Sequence, residues 1–101
     1  MQTSEQKIEQ RFTHLAQQWE HNTAHLSSMT KKVVDPAYQS IIDMGADVLP
    51  ILFRELKKSP NWWFWALREI TETDPTSPED AGNLHKMTNA WLKWAEENDY
   101  L

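Results

Sequence analysis

Four carboxylates lie close together in the sequence: Glu72, Asp74, Glu79 and Asp80. Carboxylates bind divalent cations and act as general acids and bases, so this cluster is the first candidate for a reactive site. Its spacing does not match a calcium-binding loop. The run Ser77-Pro78-Glu79-Asp80 is instead typical of a helix start, with Asp80 completing a capping box. Capping and solubility explain the cluster, and an enzyme with a carboxylate site is an alternative.

Three histidines, His14, His21 and His25, are predicted to lie together on the first helix, away from its apolar seam. His21 and His25 are four residues apart, a spacing that lets two imidazoles share a metal ion. A third ligand at helical spacing is missing, unless Glu20 or a residue of another helix completes the set. We interpret the histidines as a solvated face and predict no metal site.

Motifs that carry common enzyme chemistry are missing from the sequence. The only two glycines, Gly45 and Gly82, cannot form a phosphate-binding loop, and neither G-x-S-x-G nor HExxH occurs. The lack of cysteine excludes disulfides and a thiolate nucleophile. The first ten residues are polar, and no apolar run is long enough to span a bilayer. We expect a cytoplasmic protein without catalytic activity, cofactor or membrane association.

The net charge of −5 is unevenly distributed along the chain. Residues 1–70 hold eight basic and eight acidic side chains, whereas residues 71–101 hold two basic and seven acidic ones. This excess of acid disfavours phosphate binding by the C-terminal third. Five cations could form a basic patch if the fold brings them together: Lys31, Lys32, Arg54, Lys57 and Lys58. A solvated helix face is the simpler interpretation, and a nucleic-acid-binding surface is the alternative.

Apolar residues recur at helical spacing through the chain, and no strand pattern occurs. Helices are predicted at about 5–27, 36–44, 48–58, 60–72 and 78–98. The length suits one modest core. The predicted fold is therefore all-α, a single domain over residues 1–101 that forms a compact, irregular bundle of about five helices with helix 60–72 in the middle.

Local signals set the expected helix ends. Gly45 is predicted to end one helix in the left-handed conformation. Asp47 is predicted to cap the next helix, with Pro50 in its first turn. Ser59 and Pro60 are predicted to begin a further helix at once, so that helices 48–58 and 60–72 form a hairpin. Gly82, near the start of the last helix, is expected to weaken it slightly or to permit close packing.

The segment after Pro60 is unusually aromatic. Trp63, Ala66, Leu67 and Ile70 form an ordinary buried stripe of the predicted helix, and the other large rings point in the remaining directions. The simpler interpretation is a central helix that is covered by its neighbours. The alternative is that some of these side chains bind a partner protein. The candidate partner-binding residues are Trp62, Phe64, Trp65 and Arg68.

Two resemblances accompany these patterns. The segment Gly45-x-x-x-Leu49-Pro50-x-Leu52, followed by Ala66-Leu67-x-x-Ile70, resembles one unit of a HEAT-type helical repeat and covers about a quarter of the chain. This resemblance implies a packing arrangement for the central hairpin. A single unit cannot make a solenoid.

The chain also resembles a family of short, uncharacterised bacterial proteins. The resemblance rests on Leu26-Ser27-Ser28, Pro36-Ala37-Tyr38-Gln39, Ile41-Ile42-Asp43-Met44-Gly45, Trp63-Phe64-Trp65-Ala66-Leu67-Arg68, Ile70-Thr71, Asp74-Pro75 and Trp91-Leu92-Lys93-Trp94. The chain departs from the family pattern at Glu72 and Ala95, where glycine is usual. The resemblance implies a bacterial source and supplies no activity.

These patterns together predict a non-catalytic protein-interaction module, such as one component of a two-gene bacterial system. The supply of aromatic side chains is generous for the size of the chain, and no catalytic set accompanies it. The alternative is a nucleic-acid-binding or regulatory protein that uses the basic patch.

Overall fold

The computed structural model describes residues 3–101, and these residues contain no strand. The all-α prediction is confirmed. The α-helices are α1 (Ser4–Thr23), α2 (Met29–Val33), α3 (Pro36–Asp43), α4 (Leu49–Lys58), α5 (Phe64–Thr71) and α6 (Leu84–Glu97), with 3-10 helices at Gly45–Val48 and Pro78–Asp80. Within the described range, no helix has the combination of length and apolar character that a bilayer crossing requires. Residues 1 and 2, part of the polar N-terminal segment, lie outside this range.

Contacts between residues divide the chain into two units, Met1–Val48 and Leu49–Leu101, and each is described by itself. In the first unit, α1 packs against α3 and the 3-10 helix Gly45–Val48. Trp19 is central to this packing. Its ring lies 5.1 Å from the Tyr38 ring, between centroids, and its Nε1 donates a hydrogen bond of 2.9 Å to the carbonyl of Lys32. Trp19 thereby joins α1 to both α2 and α3.

Helix α1 ends at Thr23 rather than near Ser27. The amide of Leu26 donates to the carbonyl of Thr23 at 2.9 Å, which closes a turn instead of continuing the helical pattern. His25 therefore lies beyond the helix. The predicted placement of His25 on one helix with His21 is wrong, because the i, i+4 geometry holds only within a continuous helix.

At the junction between α3 and α4, the predicted roles of Asp35 and Gly45 are confirmed and that of Asp47 is wrong. Asp35 accepts a hydrogen bond of 3.0 Å from the amide of Ala37 and caps α3, and Gly45 is left-handed with φ of 67°. Asp47 does not cap α4, contrary to the prediction. It lies inside the 3-10 helix Gly45–Val48, and α4 begins directly afterwards at Leu49, with Pro50 in its first turn.

In the second unit, the main helix pairing joins α4 to α6. Leu52, Phe53 and Leu56 of α4 are fully buried. The Phe53 ring contacts Trp94 and Tyr100 at centroid distances of 5.8 and 5.3 Å. An aromatic cluster thus forms the centre of this unit.

The end of α6 supports this cluster. Asp99 is left-handed with φ of 65°, the amide of Tyr100 donates to the carbonyl of Ala95 at 2.8 Å, and the amide of Asp99 donates to the carbonyl of Glu96 at 3.3 Å. These two bonds define a Schellman motif, which is usually accompanied by an apolar contact across the helix end. Here the contact is the stacking of Tyr100 on Trp94, at 5.8 Å between ring centroids.

Helix α5 begins at Phe64, so the predicted start at Pro60 is wrong. Asn61 explains the delay through two local hydrogen bonds. Its side-chain oxygen accepts from the amide of Trp62 at 2.7 Å, and its carbonyl accepts from the amide of Trp63 at 2.8 Å. Asparagine often competes with helix formation in this way. Trp62 and Trp63 consequently lie before the first residue of the helix, in a segment without regular secondary structure.

Helix α6 also begins later than predicted, at Leu84 instead of Pro78. The predicted capping box of Ser77 and Asp80 is present, but it closes only the 3-10 helix Pro78–Asp80. Gly82 then adopts a φ of 80°, and Asn83 caps α6 by accepting a hydrogen bond of 3.0 Å from the amide of Lys86. A Cβ atom at Gly82 would meet open space, so the left-handed backbone, and not close packing, favours glycine there.

Candidate functional site

Trp65 and Arg68 form an exposed pair on α5. The Trp65 side chain is 42% exposed, and the Arg68 guanidinium carbon lies 5.5 Å from the centroid of its ring. Residues three apart lie one above the other on a helix, so α5 itself fixes this arrangement. A guanidinium at this distance from an indole makes a cation–π contact, worth about 0.5–1 kcal/mol at an exposed position.

A groove of about 120 Å³ lies beside this pair. Its floor is apolar, because Phe64 and Trp91 are buried and Met87 is half-buried. The lining residues come from α5, α6 and the loop between them, and are Phe64, Trp65, Arg68, Asp74, Met87 and Trp91. The groove therefore combines an exposed indole, an exposed cation and a buried aromatic floor.

A second, larger concavity of about 350 Å³ adjoins the groove, because Arg68 and Asp74 line both. Its remaining lining residues are Glu69, Glu72 and Thr73. We refer to Glu69, Glu72 and Asp74 as the acidic rim.

Local hydrogen bonds hold the backbone of the acidic rim. Glu72 ends α5 with a left-handed φ of 55°, and its amide donates to the carbonyl of Arg68 at 2.9 Å. Asp74 accepts hydrogen bonds at the same carboxylate oxygen, Oδ1, from the amide and the hydroxyl of Thr76. The start of the loop is thus held by the end of α5 at Glu72, and its next part is held by the turn from Asp74 to Thr76.

Within residues 3–101, no ion pair joins Arg68 to Glu69, Glu72 or Asp74. The guanidinium lies against the Trp65 ring instead. The acidic rim therefore carries negative charge that the described residues do not neutralise by direct pairing.

The four candidate partner-binding residues differ in exposure. Trp65 and Arg68 are exposed, Phe64 is buried, and Trp62 is half-buried. The rings of Trp62 and Phe64 meet edge to face at 5.6 Å. Phe64 thus contributes to the floor of the groove. The assignment of these residues to partner binding stays a prediction.

The five residues of the predicted basic patch fall into two sets, one in each unit. Lys31 is exposed and Lys32 is half-buried, both on α2. Arg54, Lys57 and Lys58 are exposed on α4, at a spacing that places them on one side of that helix. Lys31 and Lys32 thus belong to the first unit, and Arg54, Lys57 and Lys58 to the second.

The carboxylates and histidines form no shared centre in the part of the chain that the structure describes. No three side chains of His, Asp or Glu come together there in an arrangement that could hold a metal ion. Asp80 caps the turn at Ser77 through hydrogen bonds of 3.2 and 3.1 Å to its amide and hydroxyl. His14, His21 and His25 are exposed.

Sequence reasoning did not associate Asp74, Met87 and Trp91 with the candidate site. Met87 and Trp91 have the i, i+4 spacing of a buried stripe. That spacing predicts that this face of the helix is packed, but it does not identify the helix that packs against it. The sequence places Asp74 in the carboxylate cluster and in the Asp74-Pro75 motif of the family resemblance, and neither indicates a binding groove. The packing of α5 near α6 is what brings these residues to one groove.

No family model matches this chain, and no match was found among curated proteins or solved structures.

Proposed function

We propose that this chain is a non-catalytic protein-interaction module that contacts its partner through Trp65, Arg68 and the groove beside them. The observation that carries the proposal is the exposure of Trp65. Among the large apolar side chains of residues 3–101, only Val34, Trp65 and Leu101 are exposed, and Trp65 alone is aromatic.

The residue types and the size of the groove both support this function. Trp and Arg are the side chains most enriched at positions that dominate the free energy of protein association. A drug-sized ligand fills a pocket of roughly 300–1,000 Å³. The groove of about 120 Å³ is well below that range and suits a single partner side chain, and the adjoining concavity of about 350 Å³ lies only at its lower end.

Further parts of the proposal rest on the sequence alone. The missing catalytic motifs support a non-catalytic role. The lack of cysteine supports a cytoplasmic location. The resemblance to short bacterial proteins supports a bacterial source. The generous supply of aromatic side chains, without a catalytic set, is the reason for proposing a place in a two-gene system.

Site-specific photo-crosslinking in cells that naturally make the chain tests the proposed surface. A photoreactive phenylalanine analogue replaces Thr73, an exposed residue of the adjoining concavity, in one variant and Val34, an exposed apolar residue of the first unit, in a matched control, so that Trp65 and Arg68 stay in place. We expect a discrete protein adduct from position 73 that is absent from position 34 and is lost when Trp65→Ala is added. Equal adducts at both positions, none at position 73, or an adduct at position 73 that Trp65→Ala leaves unchanged, would contradict the proposal.

A nucleic-acid-binding or regulatory role is the second candidate, and the exposed cations Arg54, Lys57 and Lys58 on one side of α4 favour it. Binding that depends on phosphate contacts weakens steeply as salt rises, because counterions are released. The test measures affinity for duplex DNA and for single-stranded RNA at several salt concentrations, with Lys57→Glu/Lys58→Glu as the variant. Affinity that is absent, or unchanged by this variant, excludes the role for this surface.

A further inference from the structure

We infer that the partner segment carries an apolar side chain that enters the groove and a neighbouring Lys or Arg that lies against the acidic rim. This inference rests on the proposed function and adds the chemistry of the partner. It follows from the shared walls of the two concavities and from the unpaired charge of the rim.

One short segment of the partner could occupy both concavities, with an apolar side chain in one and a basic side chain in the other. The groove offers an apolar floor with room for one side chain, and the adjoining concavity of about 350 Å³ offers carboxylates. Because Arg68 and Asp74 line both, an occupant of one lies next to an occupant of the other. Side chains three or four apart on a partner helix have Cβ atoms about 5–6 Å apart and could fill both together.

The negative charge of the acidic rim favours binding of a basic partner segment over an acidic one. Three acidic residues line the larger concavity, and the single guanidinium of Arg68 lies on the Trp65 ring without an ion pair to any of them among the described residues. The excess of seven acidic over two basic side chains in residues 71–101 adds attraction at longer range. Complementary charge of this kind raises association rates and rejects partners of the wrong sign.

Random peptides displayed on phage provide the probe. Selection is carried out against the native chain, and each selected peptide is then measured against Trp65→Ala, Glu69→Lys/Glu72→Lys and Glu96→Lys/Glu97→Lys. The last variant is the matched control. It makes the same change in net charge with exposed residues of α6 that do not line either concavity. Circular dichroism establishes that each variant keeps its helices.

We expect the peptides that need Trp65 to carry a Lys or Arg near an aromatic or aliphatic residue. Their affinity for the chain should fall on the order of tenfold or more with Glu69→Lys/Glu72→Lys, because the rim carboxylates contact the basic side chain of the peptide directly. The control should lower the affinity much less, because Glu96 and Glu97 do not line either concavity. Selection against Glu69→Lys/Glu72→Lys should in turn favour acidic peptides.

Two results overturn the inference while the proposed function stands. In the first, peptides that depend on Trp65 show no enrichment of Lys or Arg. In the second, the rim variant and the control weaken basic peptides equally. If every selected peptide binds Trp65→Ala as tightly as the native chain, or if none is selected, the proposed surface itself is wrong.

Discussion

The guanidinium of Arg68 lies over the Trp65 ring, 5.5 Å from its centroid, and makes no ion pair with the neighbouring carboxylates among the described residues. This relationship keeps an indole and a cation together on the surface of α5. It also leaves the acidic rim without a direct counter-charge. Both the proposed binding surface and the preference for a basic partner that we infer for it depend on this relationship.

Replacement of Trp65 should cost far less stability than replacement of the groove floor. We expect Trp65→Ala to lower the free energy of unfolding by about 1–2 kcal/mol, because part of the ring is already exposed and the cation–π contact is weak. Trp91→Ala should lower it by about 3–5 kcal/mol, because that ring is 1% exposed. Urea unfolding followed by circular dichroism measures both. Similar losses for the two variants would contradict the exposure of Trp65.

Thr88 carries a buried hydroxyl that has no hydrogen-bond partner among the described residues. Thr88→Val should raise the free energy of unfolding by about 1 kcal/mol, because it removes the desolvation cost of that group and keeps the β-branched shape. Thr23 provides a matched control, since its buried hydroxyl donates to the carbonyl of Trp19 at 2.7 Å. Thr23→Val should lower stability by about 0.5–1.5 kcal/mol. The same sign for both substitutions would show that the Thr88 hydroxyl is satisfied.

Glu72 occupies the left-handed conformation that ends α5, with φ of 55°. Glu72→Gly should leave stability unchanged or raise it by up to about 1 kcal/mol, because glycine has no steric penalty there. Glu69→Gly makes the same chemical change inside α5 and should lower stability by about 1 kcal/mol. Thermal and urea unfolding of the two variants test this contrast, and equal effects would argue against the left-handed helix end.

Tyr100 secures the end of α6 by stacking on Trp94 and contacting Phe53. Tyr100→Ala should lower the free energy of unfolding by about 1–3 kcal/mol, because it removes two aromatic contacts and part of a buried surface. Leu101→Ala is the control, with an expected loss of less than about 0.5 kcal/mol, since Leu101 is 46% exposed. Near-ultraviolet circular dichroism should also change only for Tyr100→Ala, because that variant alone disturbs the packed rings.

Much of the fold was predictable because its signals are local. Helical spacing of apolar residues indicated an all-α chain, and the cap at Asp35 and the left-handed Gly45 follow from the residue types themselves. Helix starts were less predictable. Pro60 and Pro78 both have the residue preference of a first helical turn, yet α5 begins at Phe64 and α6 at Leu84. Hydrogen bonds made by Asn61 and Asn83 shift these boundaries, because asparagine side chains compete with the helical hydrogen-bond pattern.

The sequence by itself determined that residues 62–65 are aromatic and that the C-terminal third is acidic, and it predicted a helix through the aromatic segment, although that helix begins only at Phe64. The buried stripe predicted Trp63 to be inside, but only the tertiary structure decided that Phe64 is also buried and that Trp65 is exposed. It also placed Met87 and Trp91 of α6 beside Phe64 and Trp65 of α5. The physical reason is that helical periodicity fixes which side chains share a face, whereas burial of that face depends on contacts between segments that are distant in the chain.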